Sequence, residues 1–452
     1  MKPPEGSLYR PILWSLALLF GAAGLLLMIQ TISAEIGPFR FAELGARDPR
    51  SRVGLWVAAD AERSAGAHGE PWGAMFGGDE RVLEISSLAA LDPAALGAVV
   101  LPEPRALGSS DAAALSAYLA AGGGAVLTGS VGVRGADGAW RGYDVMRGLL
   151  GGAEPVPLDA TGAEALLASR RGVLSSLLVP RERIAIRAEP GLPAVAGGDA
   201  ELAWAAASAD GESMGLGASL RRSVGRGRLV WLAVGPERAA RDADARALGR
   251  VLRAAVAWVA RLPLVEVLPW PGGAPFAATI EPRGEDVGPL DATALRFAVA
   301  SELDAAEASA GLARLRAPSR AAAQDVVADA TSELAQRGAW LATRSELASW
   351  TRQRSSIEAT VRRAGPQRLV VAVTNRAPDA VRGVVLRLYL NENARSASVE
   401  ATQLLQATPV LRFRAGAESL DLALPDLARR ASAAFTLDYE PAAAGSTRGD
   451  PS

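Results

Sequence analysis

The chain of 452 residues carries 48 Lys and Arg against 49 Asp and Glu, a net charge of −1, which gives no argument for nucleic acid or an acidic polymer as a partner. It has no Cys and one His, His68. Disulfides, thiolate metal sites, Cys nucleophiles and any site needing two His from one chain are therefore excluded.

The length allows two to four domains. Residues 1–10 read as a short tail. The stretch PILWSLALLFGAAGLLLMIQTI (11–32) is free of charge. At about 1.5 Å per residue it is long enough to cross a hydrocarbon core, with Trp14 placed as an interfacial anchor. A transmembrane anchor is predicted at 11–33, with a cleaved signal peptide as the alternative. Residues 34–51 then form a connector. A single anchor ahead of a long domain predicts a bacterial inner-membrane protein with most of the chain outside the cytoplasm.

From 52 onward the pattern becomes strand–helix–strand. RVGLWVAAD (52–60) reads as a buried strand, followed by a Gly-rich loop that holds His68. ALGAVVLPEP (95–104) is a second apolar strand. SSDAAALSAYLAAGGG (109–124) has helix-start residues and a glycine stop, and GAVLTGS (124–130) is a strand ending in a tight turn. Residues 151–200 carry scattered Gly and Pro and give no clear period. ELAWAAAS (201–208) resumes the strands, GRGRLVWLAVG (225–235) suggests a hairpin into a core strand, and 242–262 is an Ala-rich helix. The order predicts an α/β domain over 52–262 built on a parallel sheet.

LPWPGGAPFAATIEPRGEDV (268–287) reads as a turn, a short apolar strand and a charged loop. Residues 289–356 carry apolar residues at helical spacing. From 356 to 440 short alternating segments return, among them RLVVAVTNRA (368–377) and AAFTLDYEP (433–441). They predict a β-sandwich of immunoglobulin type. Residues 441–452 read as a disordered tail.

LGAVVLPEPRALGSSDAAALSAYLAAGGGAVLTGS (96–130), GAWRGYDVMRGLLG (138–151) and the Gly225–Val259 pattern resemble the class I glutamine amidotransferase-like fold. APFAATIE (274–281) together with RGAWLATRSELASWTRQRS (337–355) resembles the opening strand and closing helix of polysaccharide deacetylases. The chain between them is too short for that family's barrel, so 263–355 is expected to be a degenerate, helical remnant.

The resemblances imply chemistry that the residues fail to supply. The deacetylase metal needs an Asp and two His. Here Glu281 takes the first acidic place, and Pro282 and Arg283 follow it. An amidotransferase needs a Cys at the turn after the central strand, where Thr128-Gly129-Ser130 stands. Ser130 with His68 as its base is a candidate nucleophile pair, and Glu281 is a candidate carboxylate, but the expectation is that no residue is catalytic and that no metal or cofactor is bound. Trp270, Arg283, Glu285 and Asp286 are candidate ligand-binding residues. The implied function is a non-catalytic, membrane-anchored envelope protein that binds or scaffolds cell-surface polysaccharide. The alternatives are a polysaccharide deacetylase-type hydrolase and an accessory subunit of an envelope transport system. The membrane, surface polysaccharide and envelope proteins are the expected partners; nucleic acid is not.

Overall fold

Residue by residue, the first buried strand is short: Val53–Trp56 (β1), apolar on both faces. The computed structural model describes residues 52–56, Trp72 and 82–442, except 136, 159–162, 188, 190, 197–199, 207–212, 283–302, 304–305, 308–310, 318–330, 391 and 402–407. After β1 come Val82–Ile85 (β2), Ala98–Leu101 (β3), the helix Ser109–Ala120 (α1) and Gly124–Thr128 (β4). A short helix, Asp144–Leu149 (α2), leads into six strands: Pro155–Pro157 (β5), Ala163–Ala168 (β6), Arg183–Ala185 (β7), Pro193–Ala196 (β8), Leu202–Ala206 (β9) and Ser213–Gly217 (β10). Ser219–Val224 (β11), Gly227–Leu232 (β12) and the helix Asp242–Val259 (α3) complete this half.

Two six-stranded sheets result. One has the order β11-β12-β4-β3-β1-β2. Its strands run parallel except β11, which pairs antiparallel with β12. The other, β5-β8-β10-β9-β6-β7, is antiparallel throughout. Only Ala218 separates β10 from β11, so the chain steps from one sheet into the other there; its N–H donates to Leu202 O and its carbonyl accepts from Ala233. Strands β3, β4 and β12 are buried along their whole length, as expected of a sheet covered on both faces. Helix α3 is fixed by Asp244, which is buried and accepts from Ala185 N–H and from Arg241.

The second half begins with Leu264–Val267 (β13). Ala277–Pro282 (β14), Leu312–Ala317 (β15), Trp340–Leu341 (β16) and the helix Arg344–Ser355 (α4) follow. The last strands are Ile357–Gly365 (β17), Arg368–Asn375 (β18), Val385–Tyr389 (β19), Ala394–Ala401 (β20), Val410–Arg412 (β21), Ser419–Ala423 (β22) and Ser432–Pro441 (β23). Sheets β13-β19-β22-β21 and β17-β18-β23-β20 share one apolar core that includes Val371, Leu386, Leu422 and Phe435. Strand β13, more than a hundred residues ahead of its partner, pairs antiparallel with β19.

Two expectations about the fold are corrected. The described chain is mostly sheet with few helices, so an α/β domain followed by a helical region misstates it. The part of 263–355 expected to be a helical remnant holds a three-stranded parallel sheet, β15-β14-β16. In it Phe276, Ala278, Ala313 and Leu315 alternate inward onto Leu303, Ala306 and Leu334. Ala and Leu are strong helix formers, and burial against this small core overrides that preference. No helix among the described residues is long and apolar enough to cross a membrane; residues 11–33, on which the transmembrane anchor was placed, lie outside them.

The two halves meet through buried charge. Arg171, after β6, donates to the carbonyls of Ser175, Ser176 and Leu178 and pairs with Glu266 of β13. Tyr389 O–H donates to the same carboxylate at 3.0 Å. Burial pushes the Arg171 guanidinium down to about 10.

Candidate functional site

Parallel sheets place ligands beyond the carboxyl ends of their strands. Here that edge carries Glu103 after β3, the turn Thr128-Gly129-Ser130 after β4, and Arg238 after β12. The Glu103 N–H donates to Thr128 Oγ1 at 3.0 Å. Glu103 is buried and holds φ = +40°, a conformation that costs a non-Gly residue about 1–3 kcal/mol. Its carboxylate accepts from Arg105 Nη2 at 2.6 Å and from Arg238 Nη2 at 3.1 and 3.3 Å. Arg238 also pairs with Glu189. Burial alone would lower the Arg238 pKa; Glu189 and Glu103 more than offset this and raise it. This edge is thus closed by an ion network that ties three loops together.

Ser130 is buried beside it. Among the described residues no base hydrogen-bonds to its hydroxyl, and His68 lies outside them. The strand bearing Glu281 is in place as β14, paired to β15 and β16, while the Glu281 side chain and the candidates Arg283, Glu285 and Asp286 lie outside what is described. Among the described residues no cluster of His, Cys, Asp or Glu could hold a metal ion. Trp270, a candidate ligand-binding residue, is buried, in keeping with the alternative reading that it packs at the strand entry. Its ring lies 6.0 Å from Trp340, which lies 6.4 Å from Trp350, and the Trp350 N–H donates to Pro269 O.

The exposed tryptophan is a different one. Residues 132–135 and 137–141 form the arms of a small hairpin over the same sheet edge, held by Gly132 N–H to Pro104 O and Arg134 N–H to Arg105 O. Within it, Arg134 bridges Trp140, Arg141 N–H donates to Val133 O, and Arg134 Nη1 reaches Gly138 O at 2.8 Å. Asp137 accepts from Ala139 N–H and from Arg141, and these hold its carboxyl below the usual range, the Ala139 bond first. Trp140 is 58 % exposed and packs edge-on against Tyr143, 5.3 Å between centroids at 90°. The Tyr143 ring braces the indole while leaving it in solvent; Arg141 and Asp137 lie together over Gly135 of the same hairpin. Sequence reading named Trp270 as the candidate aromatic, with packing at the strand entry as its alternative. The signal for Trp140 is the run RGADGAWRGY (134–143), where one aromatic stands among turn residues with no apolar period to bury it.

No family model matches the chain. No curated protein matches it either. Among solved structures it is similar to a β-galactosidase from Rahnella sp. R3 (14 % identity, 85 % of this chain and 40 % of that one, TM-score 0.32). It is similar also to α-L-fucosidase isoenzyme 2 from Paenibacillus thiaminolyticus (10 %, 86 % and 48 %, TM-score 0.33). A third is a ThuA-like protein from Bacteroides uniformis ATCC 8492 (12 %, 47 % and 94 %, TM-score 0.31). The chain spans less than half the length of the two glycosidases, and at these scores none is a template for its site. The resemblance to class I glutamine amidotransferases and to polysaccharide deacetylases is corrected accordingly: no family model supports either, and the structures recovered are named for neither.

Proposed function

We propose that the protein handles carbohydrate, and that it binds a glycan at the Trp140 hairpin without cleaving it. The exposed indole of Trp140 is the observation that carries this reading. The C–H face of a pyranose is apolar and faintly positive, and it packs on the electron-rich face of an indole. Asp137 and Arg141 of the same hairpin carry an acceptor and donors of the kind sugar hydroxyls need, and their mutual bond pre-sets them. Mono-exposed apolar residues are ordinary on surfaces; a braced tryptophan on a polar, turn-rich hairpin above the ligand edge of a parallel sheet is the feature that favours recognition.

The non-catalytic half of the reading rests on the same edge. Glycosidic cleavage needs a proton donor and a second carboxylate facing the bond. Glu103 has its oxygens engaged by Arg105 and Arg238, and Ser130 has no base among the described residues. The test is a panel of neutral gluco-, galacto- and manno-oligosaccharides, assayed for retardation in affinity electrophoresis and for release of reducing ends. Retardation without release is expected. Release that disappears in Glu103→Gln would replace binding with hydrolysis.

A further inference from the structure

Where β10 turns into β11 the two six-stranded sheets part and leave a cleft of about 780 Å³. Arg170 and Arg171 line it from the loop after β6, Glu201 from the start of β9, Arg221 and Arg222 from β11, and Trp258 from α3. Of these, Arg171 is held by Glu266 and Arg221 by Glu201, while Arg222 has no acceptor among the described residues. We infer that this corner cleft is a second binding site, for a short acidic saccharide whose carboxylates pair with the arginines.

Three observations build the site. Glu201 is buried and its Oε2 accepts from the N–H groups of Leu174 and Ser175 at 2.7 and 3.1 Å. Its Oε1 takes Arg221 Nε at 2.5 Å. The carboxylate therefore positions Arg221 more than it neutralises the cleft. The Arg221 and Arg228 guanidiniums both lie over the Trp258 ring, 5.1 and 4.8 Å from its centroid, so the planar fork of Arg221 is held by stacking as well as by its ion pair. Arg222 has neither a hydrogen bond nor an ion pair among the described residues. Its guanidinium is nevertheless seated: Gly151 holds φ = +68°, and a Cβ there would fall on the Arg222 Nη1. A glycine turn thus cradles a cation with no acceptor among the described residues.

A pocket of this volume is the size of a small ligand rather than of a single inorganic anion. Planar carboxylates match guanidinium forks in pairs, and oxyanions spaced along a ring chain can meet several at once. The saccharide half of the assignment rests on the glycan-binding reading; the oxyanion half does not. An edge strand such as β11 also gains from arginines that discourage strand pairing, and the experiment separates that role.

The experiment is calorimetric titration of the full chain and of Arg222→Gln, Arg222→Lys and Trp140→Ala, with tetragalacturonate, a neutral galactotetraose and inositol hexakisphosphate. Arg222 holds no partner among the described residues, so Arg222→Gln should melt as the parent does. Tetragalacturonate should bind the parent, weaken about tenfold in Arg222→Gln, as loss of one charge-assisted pair implies, and recover in part in Arg222→Lys. Affinity should fall as salt rises from about 50 to about 500 mM and be unchanged in Trp140→Ala. No tetragalacturonate binding, or binding indifferent to Arg222→Gln, overturns the site and leaves edge protection as the arginines' role. Inositol hexakisphosphate binding that outcompetes the uronate overturns the saccharide class. Loss of neutral-glycan binding alone sinks the Trp140 reading and leaves this one standing.

Discussion

Replacing Glu266 by Ala should loosen the joint between the two halves. Glu266 is 2 % exposed, and the side chain of its partner Arg171 is 9 % exposed. The substitution leaves a buried guanidinium with only the carbonyls of Ser175, Ser176 and Leu178, and it removes the acceptor of Tyr389 O–H. Breaking a buried pair from one side costs about 3–5 kcal/mol, because the remaining charge stays uncompensated. For a unit of the sandwich's size this is a fall in melting temperature of about 6–20 °C. The double variant Arg171→Met/Glu266→Leu removes both charges and should recover much of the loss. A thermodynamic cycle through Arg171→Met, Glu266→Leu and the double variant, followed by near-ultraviolet circular dichroism, should give a coupling of about 2 kcal/mol or more. Additive single effects, or a Glu266→Ala loss below about 1 kcal/mol, would refute the claim that this pair holds the joint.

Tyr118 offers a pH test: burial raises its hydroxyl to about 12, and it donates to Leu96 O at 2.8 Å. The unfolded chain ionises near 10 and the folded one does not, so the stabilisation is complete below pH 10 and is lost as pH rises toward 12, at about 1.4 kcal/mol per pH unit. Tyr118→Phe should lose stability less steeply over that window, and parallel urea midpoints at pH 9, 10 and 11 would contradict this. Gly124→Ala should destabilise by about 1–3 kcal/mol, since a Cβ on β4 would sit 2.6 Å from the Val259 carbonyl of α3; an unchanged melting curve would show that the helix can shift. Asn375→Ala should cost about 2–4 kcal/mol, because the buried amide donates to the carbonyls of Asp379, Leu427 and Ala428 and accepts from Ala377 N–H; a loss below about 1 kcal/mol would contradict that satisfaction count.

Local signals in the sequence mark local elements and fail on their assembly. GAVLT is apolar at every position and forms a strand buried throughout, β4. The Thr343–Glu346 spacing makes a capping box that starts α4. What decides the architecture is pairing at long range. Strand β13 belongs to β19, and no feature of LVEV names that partner. The step at Ala218 between two sheets looks like one continuous strand. The Leu312–Ala317 segment turns Ala313 and Leu315 to one core, as alternate residues of a strand do, yet its Ala and Leu content favours a helix until Phe276 and Leu334 give it that core. The candidate sites follow the same rule. Ser130 was marked by its turn, but the ion network of Glu103, Arg105, Arg238 and Glu189 comes from three loops. Trp270 and Trp140 have similar turn-rich neighbours, and only the packing of Trp340 and Trp350 tells which one is covered.

The most direct measurement is the affinity of one neutral oligosaccharide, taken from those that retard the parent protein, for the parent, Trp140→Phe and Trp140→Ala. Trp140 is largely exposed, so both variants should keep the parent melting temperature. Glycan recognition at this hairpin predicts modest weakening in Trp140→Phe, which keeps an aromatic face, and a loss of about tenfold or more in Trp140→Ala, the scale expected of an aromatic anchor. Equal affinity in all three proteins, or no neutral glycan bound by the parent at all, would contradict it.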